Sequence, residues 1–177
     1  IFRRRKKNCI KSMKKFFKYS LYGLIYLIVI LFMAVMFIVT TAKADLIKPN
    51  TVIEPEQVVL IQLNGLKKND EPNIDNGIKQ TWEFAHPSNK KYTGPLPKFI
   101  KMLKGESYQM LLNHIDNRIV EVFRSNNQYG FEVIILGKDK NYYKFQWVVE
   151  KYYEEGPLKD CWLTTMVSNP ISLGSSI

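Results

Sequence analysis

The sequence predicts an α+β fold: a set of helices packed on a curved antiparallel four-stranded meander, carried behind an N-terminal transmembrane helix. Three observations point there. Apolar residues recur at helical spacing from Pro55 to Leu112, the period changes to two after His114, and the stretch from Leu21 to Thr40 holds no formal charge. Helices that precede strands along the chain, rather than alternating with them, imply segregated layers and an antiparallel sheet.

The charge-free stretch, residues 21–40, spans about 30 Å as a helix, the hydrocarbon thickness of a bilayer. Thirteen of its twenty residues are Leu, Ile, Val or Phe, and on the insertion scale their sum is at most about −4 to −8 kcal/mol. Nine basic residues (Arg3, Arg4, Arg5, Lys6, Lys7, Lys11, Lys14, Lys15 and Lys18) precede it, and only Lys43 and Lys48 follow closely. Positive charge is retained in the cytoplasm, so the expected topology is an N-terminus inside and the long C-terminal part outside. This describes a single-pass signal anchor of a bacterial inner membrane with a periplasmic, extracytoplasmic domain. Tyr19, Tyr22 and Tyr26 suit the cytoplasmic interface. A cleaved signal peptide is the alternative, because Ala42, Lys43 and Ala44 have the small-x-small form of a cleavage site; the length of the apolar run favours the anchor. Ile1 in place of Met is read as a start lying upstream or at an unusual codon, which leaves the length of the tail open.

The formal charge of +10 does not point to nucleic acid. Setting aside the nine basic residues and Lys43 leaves sixteen basic and sixteen acidic side chains in residues 45–177. Displacing counterions from phosphates needs a concentrated basic surface, and here that surface lies beside the apolar run. Anionic lipid headgroups are its expected partner, at about 1 kcal/mol per basic residue. The two cysteines, Cys9 and Cys161, fall on opposite sides of the expected membrane and form no disulfide, CxxC or zinc spacing. Cys161 alternates with apolar neighbours and reads as a small buried hydrophobe.

The expected domain order is a basic cytoplasmic tail (1–20), a transmembrane helix (21–41), a linker (42–53), an exported α+β domain (54–168) and a C-terminal tail (169–177). In the exported domain Pro55 opens a helix reaching about Lys68, with Val58, Val59, Leu63 and Leu66 on one face. Asp75 is expected to cap a second helix through about Ala85, on which Ile78, Trp82 and Ala85 recur. From His86 to Gly94 the run of Pro, Ser, Asn and Gly reads as a loop. A third helix follows, burying Leu96, Phe99, Ile100 and Leu103, and then a short helical turn from Tyr108 to Leu112. Strands are expected at 119–123, 131–136, 143–150 and 161–167. The third is the clearest, with Tyr143, Phe145, Trp147 and Val149 on one face. Gly137 to Asn141 and Glu154 to Pro157 supply the turns.

One set of residues carries a resemblance. Trp82, Glu83, Phe84, Ala85, His86, Pro87, Ser88, Asn89 and Lys90, then Thr93-Gly94-Pro95, Phe99, Met102, Tyr108, Leu111, Leu112 and His114 resemble the signature of domain-of-unknown-function family 4864. That signature is F-x-x-P-x-N, T-G-P, then spaced F, M, Y, L and H. The resemblance covers residues 54–167, and the Asn to Thr-Gly-Pro portion is its most specific part. It implies no activity. The element order is also similar to that of the nuclear transport factor 2-like cone, which implies a pocket between helices and sheet. Trp82, Phe84, Tyr108, Trp147 and Trp162 are the candidates to line it. Their core-facing or alternating positions suit a cavity wall better than a platform for stacking bases.

For chemistry, His86 and His114 are the only histidines, and Glu83 or Asp75 could supply a carboxylate for acid–base work with them. The plainer reading has His86 and Asn89 shaping the loop and His114 ending a helix. In the motif loop of Asn89, Thr93, Gly94 and Pro95, Gly94 is expected to hold a backbone conformation other residues resist. No HxH or HExxH spacing, Gly-rich phosphate loop or GxSxG elbow appears, so neither metal nor cofactor is expected. The preferred expectation is non-catalytic binding of a small ligand or an envelope protein partner. One alternative is a scaffold subunit, whose one-span layout resembles the inner-membrane scaffolds of type IV secretion. The other is a small pocket enzyme using Glu83, His86 and His114.

Overall fold

The computed structural model describes residues 22–33 and 45–175, which fall into two units divided after Ala44. Residues 22–33 are helical (α1). Among the described residues no helix is long and apolar enough to cross a membrane. Leu21, residues 34–40, the basic tail, Cys9 and the small-x-small site lie outside the described residues.

In the second unit, helix α2 (Pro55–Lys67) begins where the sequence places it. Pro55 needs no N–H partner in the first turn, and the Glu54 N–H donates to Gln57 Oε1 at 2.9 Å. Val58, Val59, Leu63 and Leu66 are completely buried along one stripe. Helix α3 (Asn76–Glu83) is capped differently from the expectation. Asp75 sits in the left-handed region at φ 63° and makes no side-chain cap. Buried Asn69 takes that role, accepting the Ile78 N–H on Oδ1 at 3.1 Å and the Gly77 N–H on its carbonyl at 2.9 Å. Asp75 instead turns to Lys104, 29 positions further along the chain, whose Nζ lies 2.8 Å from its carboxylate. Part of the expected linker is also docked: Gln80 of α3 brackets Ile47, accepting its N–H at 2.8 Å and donating to its carbonyl at 2.9 Å.

The expected loop after His86 is a helix, α4 (Pro87–Thr93). Pro87 starts it, and His86 Nδ1 accepts the Ser88 N–H at 3.1 Å; Pro and Ser here are helix-opening residues, not turn residues. None of its residues is buried, so no apolar periodicity marks it in the sequence. Gly94, at φ 86°, ends it, and helix α5 (Leu96–Leu103) follows with Phe99 and Leu103 buried and Leu96 and Ile100 partly so. A single 3₁₀ turn, Gln109–Leu111, leads to the sheet.

Strands β1 (Asp116–Arg124), β2 (Gln128–Leu136), β3 (Asn141–Lys151) and β4 (Trp162–Val167) form an antiparallel meander in that order. Phe131 lies opposite Trp147 and Val133 opposite Phe145. With Ile135 and Val149 they make the buried face, which packs against α2, α3 and α5 in one core. The segment expected as a C-terminal tail contains a fifth strand, β5 (Ile171–Ser175), pairing with Asn141 to Lys144 of β3. β4 occupies the other half of the same edge of β3. Between them, Ser168 keeps the ladder going: its N–H donates to Gln146 O at 2.9 Å and its Oγ accepts the Gln146 N–H at 2.8 Å. All five β5 residues are exposed, so strand alternation has no apolar face to reveal it.

Candidate functional site

Where the helices meet the sheet they leave a cavity of about 160 Å³. Its deep wall is built by a polar residue set into the apolar stripe of α2. Gln62 follows Val58 by four positions and Val59 by three, so its carboxamide must enter the core with them. There Gln62 Oε1 accepts from Trp147 Nε1 at 3.0 Å and from Thr164 Oγ1 at 2.6 Å. Its Nε2 donates to Thr81 O at 3.0 Å, and Thr81 Oγ1 donates to Gly77 O at 2.9 Å. Left unpaired, each of these buried groups would cost about 1–3 kcal/mol. Among the described residues no buried side-chain nitrogen or oxygen is without a partner. The network therefore links α2, α3, β3 and β4 around the floor of the cavity.

The remaining wall is largely apolar, supplied by Leu66, Phe99, Met102, Leu103 and Leu111. Asn89 and Thr93 of α4 close one side; Asn89 Nδ2 donates to Thr164 O at 3.3 Å, and Thr93 Oγ1 to Asn89 O at 2.9 Å. Tyr92, 89% exposed, and Met166, 43% exposed, mark the mouth. Tyr108 lies at the wall with its hydroxyl directed to Val167 O and Asn169 Oδ1. Burial, with Tyr92 nearby, raises its pKa, so the phenol stays neutral at physiological pH. Among the described residues no Asp, Glu, Lys, Arg or His lines the cavity. Hydroxyls and amides in such a wall can orient a molecule through hydrogen bonds.

The same strand residue also anchors the motif. The backbone of Thr164 donates to Phe84 O at 2.8 Å and accepts the His86 N–H at 2.8 Å, a parallel bridge that pins the α3–α4 junction to the edge of β4.

Of the pocket candidates read from sequence, Trp147 and Tyr108 line the cavity; Trp82, Phe84 and Trp162 do not. Phe84 is completely buried in the core. Trp82 packs on Phe99 with Lys90 over its ring, and Trp162 meets Tyr129 edge-on. From the motif, Asn89 and Thr93 reach the cavity, whereas Gly94 and Pro95 form the turn into α5. None of Glu83, His86 and His114 lines it, and each is engaged elsewhere. Glu83 pairs with Lys48 at 2.9 Å. The His86 ring contacts Ser88 Oγ at 2.6 Å and lies edge-on to Tyr152. His114 is buried, Nδ1 on Leu111 O at 2.8 Å and Nε2 on Asn117 Nδ2 at 2.9 Å. A carbonyl only accepts and an amide nitrogen only donates, so this pairing fixes the neutral Nδ1–H tautomer. Burial lowers the pKa of both histidines and raises that of the buried Cys161 thiol. Among the described residues no group of three or more His, Cys, Asp or Glu could hold a metal ion.

Gln62, Thr81 and Thr164, the polar core of the site, are not among the residues picked from sequence. Gln62 alone leaves a signal there, a polar residue on an otherwise apolar helical stripe. No protein-family model matches the chain, and no curated protein or solved structure matches it.

Proposed function

We propose that this chain is a membrane-tethered, extracytoplasmic binding domain that holds a small ligand between its helices and sheet without acting on it. The observation that carries the reading is the cavity itself: it is lined by neutral side chains over a polar floor in which every buried atom has at least one partner, with the only histidines engaged outside it. Binding sites of this kind are mostly apolar with a few fixed polar groups that orient the ligand. The tether rests on the basic block and the charge-free run after it, which together set an inward N-terminus. The helices-then-meander order supports a cone-like arrangement similar to that of the nuclear transport factor 2-like fold, and fold alone assigns no activity.

Purification of the full chain in mild detergent, followed by native mass spectrometry, tests the reading. The expected result is protein carrying a non-covalent small-molecule adduct that is lost on denaturation. An empty protein associated stoichiometrically with another polypeptide would overturn it in favour of the scaffold alternative.

A further inference from the structure

We infer that the cavity selects an uncharged single-ring molecule bearing one hydroxyl group, the chemical class of the simple phenols. This inference rests on the ligand-binding reading above and narrows it through three observations.

The first is size. The cavity volume of about 160 Å³ is close to the roughly 150 Å³ of an engineered apolar cavity that takes up benzene. A single ring fits a cavity of that size.

The second is charge. A carboxylate or ammonium entering this site would give up its hydration and meet no opposite charge from the wall, which among the described residues holds neither acidic nor basic side chains. The aromatic faces of Phe99 and Trp147, and the sulfur of Met102, instead offer contacts that favour a neutral ring.

The third is the hydrogen-bonding capacity left at the floor. Gln62 Oε1 is filled by Trp147 and Thr164, but Nε2 uses one N–H on Thr81 O and keeps a second to donate. Thr81 Oγ1 spends its proton on Gly77 O and keeps lone pairs to accept. A floor that can both give and receive one bond matches a hydroxyl, which does both. A purely apolar ring leaves that capacity to water, and a ring amine in its cationic form can only donate.

The test uses the full chain in lipid nanodiscs, reading the indole N–H resonance of Trp147 by NMR, assigned through Trp147→Phe. The probes are p-cresol, toluene, 4-methylbenzoate, 4-methylbenzylammonium and 2-naphthol. The expected result is saturable movement of the Trp147 resonance by p-cresol, with the other four at least about tenfold weaker. Met166→Trp, placed at the exposed mouth where folding is little affected, should weaken p-cresol by about tenfold as well. Tighter binding of a charged probe, of toluene or of 2-naphthol overturns the assigned class while leaving ligand binding in place. Undiminished p-cresol affinity in Met166→Trp moves binding away from this cavity and overturns the site. If no probe moves the resonance, the assigned class falls; the ligand-binding reading falls with it only if native mass spectrometry of the full chain also finds no small-molecule adduct.

Discussion

At Gly77 two helices come closer than any side chain permits. A Cβ built there would lie 2.0 Å from the carbonyl oxygen of Gly65 and 2.5 Å from its carbon. Both are backbone atoms of α2, so relief requires the helices to part, and with them the Gln62–Thr81 contact at the cavity floor. Gly77→Ala should therefore lower stability by about 1–3 kcal/mol, measured as a shift in the midpoint of urea unfolding. His114 supplies a second residue-scale expectation, in pH. Burial holds its pKa below the ordinary 6.5 despite the opposing pull of the Leu111 carbonyl and Asp116. The unfolded chain then binds a proton that the folded chain refuses, so stability falls as pH drops through and below about 6.5 and is fully present above it. His86 is shifted the same way, also by burial and against Glu150 and Glu154. Unfolding midpoints between about pH 7.5 and 5.5 should decline in the wild type and decline less steeply in His114→Gln; equal slopes would show that His114 does not titrate on unfolding. Gln62 and Asn69 show why such residues are hard to read in advance. Their importance lies in partners 9 to 102 positions away, such as Thr81 and Thr164 for Gln62 and Ile78 and Asn113 for Asn69, and a sequence lists neighbours along the chain only.

Among the elements, those with a buried face were legible and those without one were not. The α2 stripe and the alternation of Phe145, Trp147 and Val149 follow directly from periods of 3.6 and two, because burial imposes the pattern. α4 and β5 hold no buried residue; they are fixed by a proline start, a glycine stop and a neighbour's unpaired edge. The α4–α5 junction turns on Gly94, whose φ of 86° with ψ −174° is a conformation open essentially to glycine. Gly94→Val should cost about 1–3 kcal/mol and exceed the loss from His86→Ala, which removes a helix cap of about 1 kcal/mol. Thermal unfolding of both variants orders them; the reverse order would mean that the cap, not the turn, holds α4 in place. At the opposite edge of the sheet, β1 carries exposed Val120, Val122 and Phe123 beside a register shift and the Glu121–Arg124 ion pair. A bulge and charges of this kind discourage edge-to-edge pairing with another strand.

For the molecule as a whole, charge is distributed by address. The surplus of the chain lies ahead of residue 45, and the remainder balances to zero. On the proposed topology, an alkaline phosphatase fused after Ile177 should be active, and a fluorescent protein that matures only in the cytoplasm should stay dark there. The opposite pair of results would place the domain inside the cell and remove the basis for an exported binding role.

Thr164 gives the fold one further property. Its side chain belongs to the cavity floor, while its main chain clamps Phe84 and His86. Filling the cavity and fastening the helical layer to the sheet are thus performed by one residue, so the two equilibria cannot be independent. A bound molecule resting on the floor would penalise every fluctuation that lifts the α3–α4 junction off β4. The amides of Thr164 and His86 should then exchange with solvent deuterium more slowly when the cavity is occupied, by about the factor that occupancy adds to local stability.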